Sequence, residues 1–229
     1  MKLSESTIEI LKNFSSINPG LVVKPGNILR TISTNKAVLA QAEVTEDFPK
    51  EFGIYDLNKV LGVLSLHENP EVDFAEEYLV LSSAGSRRSR VRYSDVKVII
   101  VPPDKQINIA TFDVKINLSE RDLKWIEETG SVLKCPHVII QNDGKNVVIS
   151  AADAKGEGVD DSTLFIGENT SGQDFKFVLK VENLRLLPGD YTVEIASKGI
   201  SKFSSKNVTY WVAVEKNLSE FGQSNAEAA

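Results

Sequence analysis

Few side chains in this 229-residue chain stand where covalent chemistry would need them. Its one cysteine lies in Cys135-Pro136-His137, which sets a thiol beside an imidazole, the pair an activated nucleophile requires. Sequence neighbours rarely face one another usefully, however, and the tripeptide also reads as a plain helix-to-strand junction. The second histidine, His67, is in the opposite half. Asp153, Glu157, Asp160 and Asp161 offer carboxylates to a hard cation, but they lack the Asp/Asn alternation and closing Glu of a calcium loop and read as well as a solvated loop. Neither GxxxxGK[ST] nor GxGxxG occurs, so a nucleotide site has no support. No catalytic residue, no metal and no cofactor is expected, and the chain does not read as an enzyme.

The chemistry that remains is electrostatic, and it depends on helices. The chain opens with Leu3-Ser4-Glu5-Ser6-Thr7-Ile8, and halfway along it returns to Leu118-Ser119-Glu120-Arg121-Asp122-Leu123. In each copy a Ser N-cap follows an apolar residue placed to staple onto the first turn, and Asp122 completes a capping box in the second. Apolar residues then recur on one face: Ile8, Leu11 and Phe14 in the first, Leu123, Ile126 and Leu133 in the second. Asp56 caps a third expected helix carrying Leu57, Val60, Leu61 and Leu64, and Asn183 a fourth with Leu184 and Leu187, stopped by Pro188-Gly189. Opposite the apolar stripes lie Lys12, Lys59, Arg121, Lys124 and Arg185, so all four helices offer a cation to the same side. Glu5, Glu9, Glu127 and Glu128 reduce that potential. Such a face would hold DNA weakly and without reading sequence, through screened phosphate contacts; ordinary solvation of exposed helix faces accounts for the same residues one at a time.

The densest basic cluster is Arg87, Arg88, Arg90 and Arg92, read as a turn between two strands. Three uses are open to it: an exposed turn, a subunit contact in which guanidinium forks pair with the carboxylates of Asp153 to Asp161 or with Glu168 of a neighbouring copy, and DNA contact.

Around the helices the chain reads as strands. In the first half these are LVVK, NILRTIS, AVLAQAEV, Phe52 to Tyr55, Tyr78 to Leu81 and Val96 to Val101, divided by Pro25-Gly26 and Thr34-Asn35. In the second, Val138 to Gln141 and Val147 to Ile149 flank a hairpin at Asp143-Gly144, and Phe175 to Val181 forms a further strand. Tyr78 and Val101 recur in equivalent places as Tyr191 and Val214. Each half is thus helix, antiparallel strands, short helix and closing strands: an α+β unit with helices on one face of a sheet. The boundary is expected near 108/109 within the Pro-rich connector Val101 to Phe112, giving domains 1–108 and 109–229, with a frayed tail from about 217.

With 41% hydrophobic residues the chain can bury one large core or two ordinary ones. No apolar run approaches the roughly 20 residues of a membrane span, so no membrane association is expected. Met1-Lys2-Leu3-Ser4 leads straight into an amphipathic helix, so no leader is expected either. The single cysteine fits a reducing compartment. A net charge of −6 argues against a protein that coats nucleic acid with its whole surface, and leaves room for a local basic face. Two other readings fit the same elements: a structural or assembly module of duplicated β-rich domains with no DNA role, and a carbohydrate or small-ligand module.

The residues resemble a known family, the DNA polymerase sliding clamp or processivity factor of T-even-type bacteriophages. Carrying the resemblance are Met1-Lys2-Leu3-Ser4 with Leu11-Lys12-Asn13-Phe14, Ile54-Tyr55-Asp56-Leu57-Asn58 running into Leu61-Gly62-Val63-Leu64-Ser65-Leu66, Asp122-Leu123, and Leu187-Pro188-Gly189-Asp190-Tyr191. It spans essentially the whole chain and is poorest over Lys24 to Pro49 and Ala151 to Gln173. The resemblance implies a DNA clamp fold of two similar domains, each with antiparallel sheets outside and two helices on the inner face. It also implies a homotrimer closed head to tail around double-stranded DNA. An ATP-dependent clamp loader would load this ring, which would tether the replicative DNA polymerase in the cytoplasm of the infected bacterial host. A role with late-transcription factors follows from the same resemblance. Lys12, Arg121 and Lys124 match channel-facing positions of the family. The pocket for a partner's hydrophobic C-terminal peptide would fall on Pro103, Ile107, Ile109 and Phe112, with Leu39 and Val214 beside them.

Overall fold

The computed structural model describes residues 1–83, 87–105, 107–156 and 160–222. The chain divides into two compact units, one of residues 1–106 with Asn207–Thr209 and one of the remainder from Ile107.

In the first unit, α1 (Glu5–Ile17) is followed by β1 (Leu21–Val23), β2 (Gly26–Ile32), β3 (Val38–Phe48), β4 (Phe52–Ile54), α2 (Leu57–Ser65), β5 (Glu71–Phe74), β6 (Tyr78–Ser83) and β7 (Arg87–Arg92). β1 pairs with β4, β2 with β3, and β5-β6-β7 form a three-stranded sheet, all antiparallel. β3 shows why a strand forms here. Ala42, Val44, Glu46 and Phe48 are buried while Glu43, Thr45 and Asp47 are exposed, the period of two that covers one face of a sheet. α1 buries Ile10, Leu11, Phe14 and Ile17 with Thr7.

One member of the buried β3 face is a carboxylate, and it finishes the α1 cap. Ser4 Oγ accepts from the Thr7 N–H at 3.2 Å, and Glu46 in turn accepts from the Ser4 N–H and the Thr7 hydroxyl. Burial pushes the Glu46 carboxyl up, but the hydrogen bonds from Thr7 and Ser4 outweigh it and hold the group below the usual glutamate value of 4.5. A folded-state pKa that is depressed contributes stability above the unfolded value and loses it as pH falls through the folded one. Glu46→Ala should therefore lower stability at neutral pH by about 1–3 kcal/mol, and the wild-type advantage over it should shrink only below about pH 4.5. Urea melts of both proteins at a series of pH values check this; a gap that widens on acidification would contradict it.

The second unit holds β8 (Val114–Leu118), α3 (Glu120–Leu133), β9 (His137–Asp143), β10 (Asn146–Ala152), β11 (Ser162–Glu168), β12 (Phe175–Lys180), β13 (Tyr191–Ala196), β14 (Ile200–Ser204), β16 (Glu220–Phe221) and, from Tyr210 on, β15 (Val208–Ala213), whose first two residues belong to the first unit. One sheet runs β11-β10-β9-β12-β16, and β15-β14-β13-β8 are neighbours in another. The expected hairpin joins β9 to β10 through a tight turn in which Gly144 takes φ of 60°, a left-handed conformation suited to glycine. Gly130 answers a different need: a Cβ there would lie 3.1 Å from the Ala151 Cβ, so its absence lets α3 settle closely onto β10.

Four expectations are corrected. The fourth helix is absent. Val181–Asn183 forms a single 3₁₀ turn without a side-chain cap, Asn183 is buried within it, and Leu184 departs from helical geometry at φ −89°, ψ 56°. Pro188 bars Leu187 from helical geometry, leaving too few residues to nucleate a helix. Val96 to Val101 is not a strand: Asp95 accepts from the Lys97 N–H at 2.9 Å and turns Val96–Val98 into a 3₁₀ turn. The four arginines occupy β7 rather than a turn, while Ser86 lies outside the described residues. The segment after Asn217 is not frayed as far as Gly222: a 3₁₀ turn at Lys216–Leu218 leads to β16, whose Phe221 ring stacks 6.1 Å from Phe177. β5, β8 and β11 are strands with no counterpart in the expected list.

Candidate nucleic-acid interface

Each α-helix presents its polar face through the same device, a side-chain cap that fixes where the first turn begins. Asp56 Oδ1 accepts from the Lys59 N–H at 3.0 Å to start α2. At α3 the Ser119 hydroxyl accepts from the Asp122 N–H at 3.2 Å and donates to the Asp122 carboxylate at 2.6 Å, while Asp190 takes the Glu120 N–H at 2.8 Å. Lys134 closes α3 in the left-handed conformation.

With the helices fixed, Lys12 of α1, Lys59 of α2, and Arg121 and Lys124 of α3 are all exposed. Their surroundings differ. Lys12 and Lys59 have no acid within ion-pair distance among the described residues, whereas Arg121 lies 3.7 Å from Asp122 and Lys124 lies 3.8 Å from Glu128. Exposed Glu5 and Glu9 share α1 with Lys12. The helical faces are therefore of mixed sign rather than basic. Burial, and then the neighbouring Glu128, raise the pKa of Glu127. α3 also exposes two apolar side chains, Trp125 and Val132. Arg185 is exposed but lies off any helix, and its Nε donates to the Glu182 carbonyl at 3.0 Å.

The arginine cluster forms an edge. β7 ends its sheet, and on it Arg88, Arg90 and Arg92 alternate with Ser89 and Val91. Arg90 sits 5.3 Å over the Tyr78 ring and Arg92 lies 3.5 Å from Glu77. Ser89 points the other way, to His67 Nε2 at 2.8 Å, while His67 Nδ1 meets the Ser83 hydroxyl at 3.1 Å. His67 is thus a satisfied structural side chain. Among the described residues the second unit has its own unpaired edge in β11, preceded by exposed Asp160 and Asp161, ending at exposed Glu168, and carrying a Phe165 that is 58% exposed.

Along the connector, Asp104 pairs with Lys24 at 2.6 Å, which lowers its pKa. Pro103 is exposed, and Ile107, Ile109 and Phe112 are half-buried, Phe112 lying beneath the Lys202 ammonium at 5.7 Å. Leu39 and Val214 are buried core residues. The remaining chemical candidates dissolve on inspection of their partners. Burial, and then Asp160, Asp161 and Asp153, push the Cys135 thiol up, the reverse of activation. Glu157 lies outside the described residues, among which no group of three or more His, Cys, Asp or Glu could hold a metal. Among them, too, no helix is long and apolar enough to cross a membrane.

Sheets carrying capped helices in both units define a DNA clamp fold. A. fulgidus PCNA, solved with the C-terminal region of FEN-1 bound, superposes with a TM-score of 0.71 at 14% identity, over 93% of this chain and 96% of that one. Residues 2–101 match the family described as DNA polymerase processivity factor, and residues 112–216 match gp45 sliding clamp, C terminal. The sliding clamp of Vibrio phage KVP40 is 32% identical over 220 residues, covering 94% of this chain and 99% of its own, and that of Escherichia phage RB69 is 30% identical over 223. The chain belongs to the sliding-clamp family of phage DNA polymerase processivity factors.

Proposed function

We propose that three copies of this chain close head to tail into a ring around duplex DNA and hold the replicative DNA polymerase on it. The observation that carries the reading is the pair of unpaired strand edges of opposite character, arginine-rich β7 and carboxylate-flanked β11. An unpaired edge is a template for another chain, and joining two different edges repeats until the ring closes. A duplex inside presents one phosphate charge per about 1.7 Å of axis. Lys12, Lys59, Arg121 and Lys124 meet those phosphates singly and weakly; topology, not affinity, retains the ring, and mobile contacts let it slide. Arg185 is left out of this face.

An ATP-dependent clamp loader opens the ring at one edge pair. Pro103, Ile107, Ile109 and Phe112 take a hydrophobic C-terminal peptide of the polymerase, and late-transcription factors use the same surface. Leu39 and Val214 are buried and stay out of that surface. The setting is the cytoplasm of an infected bacterium.

Light scattering over a range of concentrations tests the ring. Three chains of 25.2 kDa give about 76 kDa, falling only on dilution. A monomer at high concentration would leave nothing to encircle DNA and would end the reading.

A further inference from the structure

The two strand edges joined in the proposed ring each carry a row of side chains on one face, and the rows match. On β7, Ser89 bonds His67 just past α2, so its face is turned towards that helix, while Arg88, Arg90 and Arg92 lie on the other face. On β11 the faces are fixed by pairing with β10. Ala151, against which Gly130 of α3 settles, pairs with Ser162, whereas Ser150 on the opposite face meets Thr163 through their hydroxyls at 2.8 Å. Thr163 and Phe165 therefore point away from α3. Glu168 joins them because of a β-bulge: Val148 pairs with Phe165, Val147 with Gly167 and Asn146 with Glu168, so Ile166 is an extra residue and Glu168 returns to the Phe165 face one step along. We propose that Arg90 of one copy stacks on Phe165 of a neighbouring copy, with Arg88 paired to Glu168 beside it, so that the subunit contact is held by a cation–π stack as well as by charge. This rests on the ring reading given above.

Arg90 is prepared for the role. Its guanidinium lies 5.3 Å over the Tyr78 ring, inside the roughly 6 Å reach of a cation–π contact, and a planar cation offers a second face, here exposed. Phe165 is 58% exposed and has no aromatic or cationic neighbour among the described residues. Joining β7 to β11 antiparallel, as β7 is joined to β6 and β11 to β10, sets side chains of like face next to one another. Arg90 opposite Phe165 then puts Arg88 opposite Glu168 and Arg92 opposite Thr163. The reverse strand direction would bring Arg92 to Glu168, but Arg92 already lies 3.5 Å from Glu77, whereas Arg88 has no acid within ion-pair distance among the described residues. The two contacts differ in their response to salt. Exposed charge pairs are screened at about 1 M salt, where the Debye length is about 3 Å; a guanidinium pressed against a ring leaves no space for an intervening ion.

Sedimentation of the full chain over a range of concentrations, at about 0.05 M and about 1 M sodium chloride, tests the stack. Phe165→Ala removes no core contact and should raise the concentration at which the trimer half-dissociates about tenfold at both salts. Phe165→Leu, apolar but without a π face, should weaken the trimer about as far. Glu168→Gln should weaken it at the lower salt only. Arg90→Ala combined with Phe165→Ala should cost little more than either alone, because both remove one contact. A wild-type trimer that Phe165→Ala leaves unchanged, a Phe165→Ala effect confined to low salt, a Phe165→Leu trimer as strong as wild type, or additive effects of Arg90→Ala and Phe165→Ala would each overturn the stack and leave the ring standing. A wild-type chain monomeric at every concentration would end the ring reading, and the stack with it.

Discussion

Replacing Arg88 and Arg90 together by glutamate should leave the chain folded and drop its native mass from about 76 kDa towards the 25.2 kDa of one copy. Both side chains are exposed and share one face of β7, so the change removes no core contact; the stacking of Arg90 over Tyr78 is the one local loss. The partner edge in the proposed ring carries Asp160, Asp161 and Glu168, so reversal sets like charges together. Such juxtaposition costs several kcal/mol, which is at least a hundredfold in association at physiological salt. Asp161→Arg placed in the same chain restores an opposite-sign pair at each of the three contacts and should recover much of the trimer. Sedimentation of the three proteins at matched concentration decides the matter. An undiminished trimer in Arg88→Glu/Arg90→Glu would remove β7 from the interface, and a melting temperature lowered by more than a few degrees would assign the arginines to folding instead.

The parts of this molecule that local sequence determines were legible, and those that distant contacts determine were not. The caps at Ser4, Asp56 and Ser119 declare themselves within four residues, because a hydroxyl or carboxylate and the amides it serves lie in one turn. The hairpin at Gly144 is equally local. Val96 to Val101 misled because a run of β-branched residues specifies burial in a sheet only if a neighbouring strand exists, and here Asp95 supplies a turn instead. Leu184 to Leu187 carried a helical stripe that Pro188 made too short to use. β11 was hidden because its apolar run, Leu164 to Ile166, is only three residues long and none of it is fully buried. The four cations were recoverable from helical spacing. Their neutralising partners were only partly so: Glu128 lies one turn from Lys124, whereas the role of Glu46 as the second cap of α1 needs a contact across 42 residues. Helical spacing shows which charges are exposed but not their net potential, since potential depends on every neighbour.

That potential underlies the other large effect. Reversing Lys12, Lys59, Arg121 and Lys124 to glutamate should lower loader-dependent polymerase processivity at least tenfold while the trimer persists, because all four are exposed on helix faces and none supports the core. The opposite change is the sharper check. Glu9→Gln with Glu128→Gln removes two acids from the same helices and releases Lys124 from the carboxylate 3.8 Å away. A phosphate within a Debye length of about 8 Å then meets an uncompensated ammonium. Retention on DNA should rise, and the slope of log affinity against log salt should steepen by roughly 0.9 for each additional phosphate contact. A merely solvating set of lysines would show neither response. Processivity unchanged in the quadruple variant would withdraw the DNA-facing assignment of these helices. Processivity lost there, with no change of salt slope in Glu9→Gln/Glu128→Gln, would mean that the cations bind a protein partner instead of DNA.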